Sequence, residues 1–308
     1  MNDDTADLAR SITFSSSKQS FYTACLLVDN DLVDDCLQAY AYFRWVDDVV
    51  DISSQSRQER INFIERQRDL INQLYASIRP VDLTPEENII ADLICHDRGE
   101  NSGLRSFINN FIAIIEFDAH RRGRLITQEE LTWYSECLGK AVTDAIQYFI
   151  RNGHPYPDSE NRYKAATAAH ITHMLRDMYP DIAEGYINIP KEYLAENNLN
   201  PLEVNSPILR SWVKERVKLA QKYIREGKGY LDELDVLRCK IAGYWYCARF
   251  EVVLDTIERD GFNLRTQYDE RNKFTTWLKM AWLGIYTTLK HVTGLNLRYL
   301  WRSTREVN

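Results

Sequence analysis

The sequence predicts an all-α protein, and three features of its 308 residues support that prediction. Gly and Pro number only 12 and 8, fewer than a β-rich fold with many tight turns would need. Helix-start signals recur along the chain, followed by apolar residues at helical spacing. No stretch of comparable length alternates apolar and polar residues as a half-buried strand would. Because no repeat or linker-like stretch interrupts this pattern, we expect residues 1–308 to form one domain.

The individual helices can be placed from their start signals. We predict helices over 17–28, from the cap at 29–31 to about 51, over 57–77, from Thr84 with Pro85 in its first turn, from Thr127 to about Gly153, from Ser159 to at least Met178, from Ser206, over 235–260 and over 270–291. Thr127 and Glu130 form a capping-box pattern. The expected total is eight to ten helices.

Composition excludes several classes of function. The net charge of −7 argues against a nucleic-acid partner. The six cysteines show neither CxxC pairs nor clustering with His, so we expect reduced thiols rather than disulfides or zinc ligands. The acidic N-terminus lacks the basic start of a secretory signal, which predicts a cytoplasmic protein. The apolar stretches 107–117 and 277–289 are too short and interrupted to cross a bilayer, which leaves only peripheral membrane contact open.

The first candidate site lies on the stretch CLQAYAYFRWVDDVV, residues 36–50. This stretch is apolar nearly all the way round, which is typical of a buried helix. At about 100° per residue, one stripe of that helix carries Tyr40, Arg44, Asp47 and Asp51. Burying ionised carboxylates without partners is costly. The acidic pair on so apolar a helix therefore indicates a binding site more than a solvated face.

A second acidic stripe carries His170, His173, Asp177 and Asp181, provided that the helix continues past Pro180, where proline kinks or ends helices. Two carboxylate pairs predict Mg²⁺, which takes one or two carboxylates and completes its shell with waters and substrate phosphates. A zinc or iron site using the two histidines is the alternative, although the Glu-x-x-His pattern of di-iron bundles is missing. Otherwise each His is a packed or hydrogen-bonded pocket residue.

Several motifs together resemble the squalene/phytoene synthase family. They are SKQSFYTACLLV, AYAYFRWVDDVVD, FDAHRRGR, LTWYSECLGKAV and LRDMYPDIAEGYINIP, which follow in the family's order over residues 17–260. The resemblance implies an isoprenoid-synthase-type bundle of helices around a central cavity. It implies metal and diphosphate binding at Asp47, Asp51, Asp177 and Asp181. Family pocket or diphosphate-contacting positions are matched by Ser20, Tyr40, Arg44 and Arg176.

This sequence departs from the family's pattern around its second acidic motif. His170 and His173 stand where the family usually has Gln and Asn. In the family's Gly-Arg-x-Tyr-x-Pro segment, Tyr186 and Asn188 replace the Arg and the Tyr. A late family tyrosine is Phe250 here. The changes leave the first motif intact and fall in the region that would bind a second substrate.

The predicted function is a Mg²⁺-dependent prenyltransferase that ionises an allylic isoprenyl diphosphate and forms a carbon–carbon bond, with head-to-head condensation as the family default. The candidate catalytic residues are Tyr40, His170 and His173, and the candidate substrate-binding residues are Ser20, Arg44, Arg176 and Tyr186. One alternative is prenylation of a non-isoprenoid, aromatic acceptor, which a histidine or Tyr186 would orient or deprotonate. A second alternative is cyclisation of a single substrate. A third is a non-catalytic role in assembly or lipid binding, although the presence of all four aspartates argues against it.

Overall fold

The computed structural model describes residues 3–52, 55–97, 99, 101–150, 156–204, 206–269 and 274–293. Its thirteen α-helices are α1 (Asp3–Ser16), α2 (Lys18–Leu27), α3 (Val33–Asp51), α4 (Arg57–Tyr75), α5 (Pro85–His96), α6 (Gly103–Arg121), α7 (Gln128–Phe149), α8 (Lys164–Arg176), α9 (Met178–Glu184), α10 (Lys191–Glu196), α11 (Pro207–Glu233), α12 (Leu237–Arg259) and α13 (Phe274–Thr293). Within these residues the β structure amounts to one isolated bridge, Leu125 to Ile187. The predicted all-α class is confirmed.

The number of helices was predicted too low. The first helix, α1, was missed because its buried face is made of Ala6, Ala9 and Thr13. These small residues recur at helical spacing but give little apolar signal. The predicted cap at 29–31 is also wrong, since a short 3₁₀ turn, Asn30–Leu32, precedes α3 and no side-chain capping bond is made at Asp29 or at Leu32.

The second acidic stripe does not lie on one continuous helix. The predicted helix from Ser159 to Met178 begins only at Lys164 and ends at Arg176, and α9 begins at Met178. The break falls at Asp177, whose backbone (φ −97°, ψ 10°) leaves the helical region. Pro180 sits in the first turn of α9, where its missing N–H is not needed. Asp181 is therefore helical, but on a different helix from the two histidines.

Other predicted boundaries are confirmed by capping bonds. The Glu87 N–H donates to Thr84 Oγ1 (3.2 Å) and the Glu130 N–H to Thr127 Oγ1 (3.0 Å), and in both pairs the glutamate accepts the reciprocal bond. Helix α11 begins with Pro207 after Ser206, as predicted. The predicted end of α7 at Gly153 and the start of the last helix at 270 lie outside the described residues.

The second acidic segment is held by close helix packing. Helix α8 packs between α7 and α11, and its KAATAA start presents small side chains to both. A Cβ on Gly227 of α11 would come within 2.6 Å of the Ala165 backbone N, and one on Gly139 of α7 within 2.3 Å of Thr167 Oγ1. Small residues on both sides thus let three helix backbones approach closely, which fixes the position of α8.

The first acidic segment is positioned by aromatic packing between α3 and α6. The ring of Phe43 lies 5.1 Å from that of Phe107 and 4.9 Å from that of Phe111, measured between centroids. About two turns further along, α3 reaches Asp51 and α6 reaches Asp118. Asp118 lies close enough to Asp51 for its negative charge to help burial raise the pKa of Asp51. In the described residues no helix is both long and apolar enough to span a bilayer.

Candidate active site

The aspartates of the first motif lie at the C-terminal end of α3. Val46 and Val50 turn into the core, and Asp47 and Asp51 occupy another face. Burial, followed by the negative charge of Asp51, raises the pKa of Asp47 to about 7, although 43% of its side chain remains exposed. Burial also raises the pKa of Asp51. Carboxylates whose ionised form is disfavoured by burial and by neighbouring negative charge form a place where a cation is favoured.

Arg44 lies beside this pair. Its guanidinium forms an ion pair with Asp48 and approaches Asp47 at 3.5 Å. Desolvation acts to lower the pKa of Arg44, but Asp48, and then Asp47, raise it by more. Tyr40 also lies close enough to Arg44 to raise its pKa. Tyr40, Arg44 and Asp47 are thus brought together as the stripe predicts.

The aspartates of the second motif lie on either side of the break between α8 and α9. The Asp181 N–H donates to the Asp177 carbonyl (2.9 Å), and Arg176 Nε donates to Asp177 Oδ1 (2.6 Å). Burial, and then the negative charge of Asp177, raises the pKa of Asp181 to about 7. Gly185 ends α9 in the left-handed region (φ 92°), which only glycine adopts freely. The chain can therefore turn back at once toward the aspartates.

The side chain of Asp118, on α6, connects the two motifs. Its oxygens accept hydrogen bonds from Arg121 Nε (2.5 Å) and from the Tyr134 hydroxyl (2.6 Å). The negative charge of Asp118 contributes to the raised pKa of Asp47, Asp51 and Asp181. Asp118 therefore lies close enough to aspartates of both motifs to influence their pKa.

Asp118 was not singled out in the sequence. The available signal was its position: an acid directly after the apolar run 107–117, three residues before an arginine.

The residues that depart from the family pattern also line this cluster. The Tyr186 hydroxyl donates to Asp51 Oδ1 (3.3 Å), and the Asn188 amide donates to Asp181 Oδ2 (2.9 Å). Arg121 Nη1 donates to Asn188 Oδ1 (2.9 Å), and only 3% of Arg121 is exposed. Both departures therefore place a hydrogen-bond donor on a motif aspartate.

Besides Arg121, the guanidinium of Arg122 lies beside Tyr186. It lies 5.6 Å from the centre of the Tyr186 ring, and its Nε donates to the Glu184 carbonyl (2.9 Å). Its Nη1 is buried without a hydrogen-bond partner among the described residues. Arg122 thus has a donor available, whereas Arg121 is engaged by Asp118 and Asn188.

The two histidines lie beside the cluster in aromatic surroundings. His170 is buried, with its ring 4.6 Å from that of Tyr134 and its Nδ1 without a hydrogen-bond partner among the described residues. Burial, and then the positive charge of Arg121 and Arg216, lowers the pKa of His170 to about 3. The ring of His173 packs 4.7 Å from Phe250 on α12.

Two other predicted features are the pocket position Ser20 and a cavity between helices. The Ser20 hydroxyl accepts a hydrogen bond from Ser17 Oγ (2.8 Å) at the start of α2. A cavity of about 340 Å³ opens between α7, α8 and α11, with Lys140, Lys164 and Arg216 among its lining. None of the motif aspartates lines this cavity, so the cavity is separate from the candidate site.

The donor set around Asp118 fits Mg²⁺. All the candidate ligands are carboxylate oxygens, which this cation prefers. Within the described part of the chain no three acidic, His or Cys side chains converge closely enough to enclose a metal by themselves. Mg²⁺ is normally held by one or two carboxylates together with waters and substrate phosphates, so paired carboxylates on two facing segments suit it.

A family model described as squalene/phytoene synthase matches residues 14–277. The chain therefore belongs to the squalene/phytoene synthase family. It is 27% identical over 180 residues to the presqualene diphosphate synthase of Rhodopseudomonas palustris, a match that covers 57% of this chain and 59% of that relative. The match thus spans less than two thirds of the relative's length.

Two solved structures share the fold. Squalene synthase HpnC from Alicyclobacillus acidocaldarius gives a TM-score of 0.66 at 20% identity, over 85% of this chain and 95% of that one. A dehydrosqualene synthase in complex with a ligand gives 0.66 at 16% identity, over 95% and 98%. At these identities the likeness shows the helical fold.

Proposed function

We propose that this chain is a Mg²⁺-dependent prenyltransferase that ionises an allylic isoprenyl diphosphate and joins the resulting cation to carbon. The observation that supports this most strongly is that Tyr186 and Asn188, two residues apart in one segment, bond to Asp51 of the first acidic motif and Asp181 of the second, in a member of this family. Asp47, Asp51, Asp177 and Asp181 would hold the metal. When bound, Mg²⁺ neutralises the charge of the departing diphosphate.

The chain's own residues supply the remaining parts of the reaction. Arg44 and Arg176 stand beside the aspartates and would give charge-assisted hydrogen bonds to diphosphate oxygens. Arg122, with its unpartnered Nη1, is a third candidate donor; it belongs to the basic run 120–124, which the sequence alone assigns more readily to a solvated face than to a phosphate contact. The aromatic rings around His173 and Phe250 would exclude water from an allylic cation.

Proton transfer is the least supported role. A pKa near 3 makes His170 a weak proton acceptor at neutral pH. As a neutral imidazole it would serve better to orient a neighbour, such as Tyr134. Tyr40, beside Arg44, and His173 are therefore the better candidates for a group that moves a proton.

Head-to-head condensation of two prenyl diphosphates is the reaction we favour. Tyr186 stands where the family has an Arg, which removes one cationic partner for a second diphosphate. In the structure, however, Arg121 and Arg122 lie against the Tyr186 ring at 5.1 and 5.6 Å, so positive charge is present at this edge. The named function of the R. palustris relative points the same way. Prenylation of a non-isoprenoid acceptor is the alternative.

Substrate counting tests the proposal. Purified protein would be incubated with geranyl, farnesyl or geranylgeranyl diphosphate, with and without Mg²⁺, while diphosphate release and products are followed. We expect Mg²⁺-dependent diphosphate release and a coupled product made from prenyl diphosphate alone. Calorimetry with a non-hydrolysable allylic analogue should then find two sites per chain. One site, and release only when an aromatic acceptor is added, would favour the alternative; no release with any substrate would contradict both.

A further inference from the structure

The cavity between α7, α8 and α11 has no part in the reaction proposed above. Its volume is about 340 Å³, at the small end of the range of ligand pockets, about 300–1,000 Å³. Ile171 of α8 lines the cavity, whereas its neighbour His170 packs on Tyr134, whose hydroxyl bonds to Asp118. Neighbouring residues of α8 thus contact the cavity and the candidate active site.

Each of the three helices contributes one basic side chain to the cavity. They are Lys140 from α7, Lys164 from α8 and Arg216 from α11. None of these side chains forms an ion pair or a hydrogen bond with another described residue. Lys164 Nζ lies 4.2 Å from the centre of the Tyr223 ring, and the Arg216 guanidinium lies 5.9 Å from that of Trp212. All three positive charges therefore lack a carboxylate partner in the described part of the chain.

The missing partner matters most for Arg216, because this side chain is half-buried. Desolvation lowers the pKa of its guanidinium; among the described residues Tyr223 acts to raise that pKa, and no carboxylate does. Arg121 is buried and Arg162 half-buried, but each of them pairs with an aspartate. Burying a cation without an opposite charge is costly. Arg216 therefore indicates an anion that comes from outside the chain.

The neutral side chains of the cavity have little left to offer a ligand. Thr132, Ser135 and Thr167 each donate their hydroxyl to the backbone carbonyl four residues earlier. Most of the remaining N–H groups in the lining belong to the two lysines and the arginine. Hydrogen bonds from charged donors are strongest to charged acceptors, so this lining favours an anion over a neutral polar molecule.

The number of cations indicates an anion with more than one negative charge. Two exposed carboxylates, Glu136 and Glu160, also line the cavity, and they form no ion pair with its cations. A single carboxylate ligand would need one cation. A phosphate group carries a charge of about −2 and several acceptor oxygens, and Lys and Arg are the side chains that bind it. Cations that enter from three helices therefore suit phosphate or diphosphate.

We propose that this cavity is a separate anion site, in which Lys140, Lys164 and Arg216 bind a phosphate or diphosphate group. The group would belong either to inorganic diphosphate or to an organic diphosphate whose remaining part lies on the rings of Tyr163 and Tyr223. Binding there needs no metal. The inference rests on the cavity and its charge, and it holds whether or not the chain is a prenyltransferase.

Calorimetric titration of the full chain with inorganic diphosphate tests the site. EDTA is present throughout, so that no Mg²⁺ links diphosphate to the acidic cluster. We expect one site per chain in the wild type, and binding weaker by about tenfold or more in Lys140→Met/Arg216→Met, which loses two charged contacts. The control Lys214→Met/Lys218→Met also removes two positive charges, from exposed lysines of α11 that do not line the cavity. It should bind like the wild type.

A second titration, with geranyl diphosphate in EDTA, identifies the source of the group. Tighter binding than that of inorganic diphosphate, by a margin that Tyr223→Ala removes, would assign an organic diphosphate. Equal binding of the two would assign the inorganic anion. Arg44→Met/Arg176→Met, which alters the candidate active site, should leave the binding of inorganic diphosphate unchanged.

Three results would overturn the proposal. They are failure of inorganic diphosphate to bind the wild type, equal binding by Lys140→Met/Arg216→Met, and loss of binding in Arg44→Met/Arg176→Met. The last would place the anion at the acidic cluster and leave the prenyltransferase proposal standing. Diphosphate should also raise the melting temperature of the wild type and not that of the cavity variant. If that variant fails to fold by circular dichroism, Lys140→Met/Lys164→Met provides the same test.

Discussion

The Tyr186 hydroxyl donates a hydrogen bond to the Asp51 carboxylate (3.3 Å) across 135 positions of sequence. It ties the segment after the second acidic motif to the last residue of the helix that carries the first. This bond also lowers the pKa of Asp51 against the effect of burial, and so favours the ionised form that binds a cation.

Tyr186→Phe is expected to weaken cation binding more than stability. Without the hydroxyl, Asp51 is protonated more easily, so the Mg²⁺ concentration for half-maximal diphosphate release should rise several-fold. Stability should change by about 1 kcal/mol or less. Tyr244→Phe removes a similar bond, to Asp232 (2.6 Å), outside the acidic cluster and should leave the Mg²⁺ requirement unchanged. Equal Mg²⁺ curves for wild type and Tyr186→Phe would contradict the prediction.

Asp47→Asn is expected to abolish diphosphate release without unfolding the protein. Burial, and then the negative charge of Asp51, raises the pKa of Asp47, so removing the charge relieves both penalties, and the melting temperature should stay level or rise. Asp48→Asn is the matched control, because Asp48 pairs with Arg44 on the exposed side of the helix. Near wild-type turnover in Asp47→Asn would refute its role as a metal ligand.

Arg122→Met is expected to weaken binding of the allylic diphosphate. A charge-assisted hydrogen bond contributes about 1.5–3 kcal/mol, so the half-saturating concentration should rise roughly 10- to 100-fold. Arg124→Met, two residues on, removes an arginine that pairs with Glu130 and should have little effect. If both variants behave alike, Arg122 is not a diphosphate ligand.

The free energy of unfolding should fall in mild acid because of His170. The unfolded chain takes up a proton as the pH falls through 6.5, whereas the pKa of about 3 keeps the folded imidazole neutral. The contribution of His170 is therefore complete above pH 6.5 and is lost toward pH 3, by about 1.4 kcal/mol per unit. The free energy of unfolding would be measured by denaturant above pH 6.5 and one unit below it. It should fall less for His170→Gln than for the wild type, whereas His291→Gln, which replaces an exposed histidine, should lose as much as the wild type. Parallel curves for wild type and His170→Gln would show that the imidazole protonates in the folded state.

Gly227→Ala tests the packing that positions α8. The new methyl group would come within 2.6 Å of the Ala165 backbone, so the helices must separate, and we expect a loss of about 1–3 kcal/mol or more. Gly229→Ala, two residues on, meets nothing within 4 Å and should be neutral or stabilise by up to about 1 kcal/mol. Denaturant unfolding measures both. Equal stability of the two variants would mean that α8 and α11 can separate freely.

The sequence by itself determined the features that depend on helical periodicity. The all-α class, the caps at Thr84 and Thr127, and the stripe of Tyr40, Arg44 and Asp47 all follow from residues within a few turns of one another. Periodicity failed where small residues formed the buried face, as in α1, and where a helix broke before proline, as at Asp177.

Only the tertiary structure decided which distant groups meet. The contact of Phe43 with α6 brings Asp118 to Asp47 and Asp51, and the turn at Gly185 brings Asn188 to Asp181. These partners are far apart in sequence, and no local pattern encodes the distance between them. The cluster forms because close packing fixes the positions of the helices, and buried polar groups must then find partners among the side chains that packing brings near.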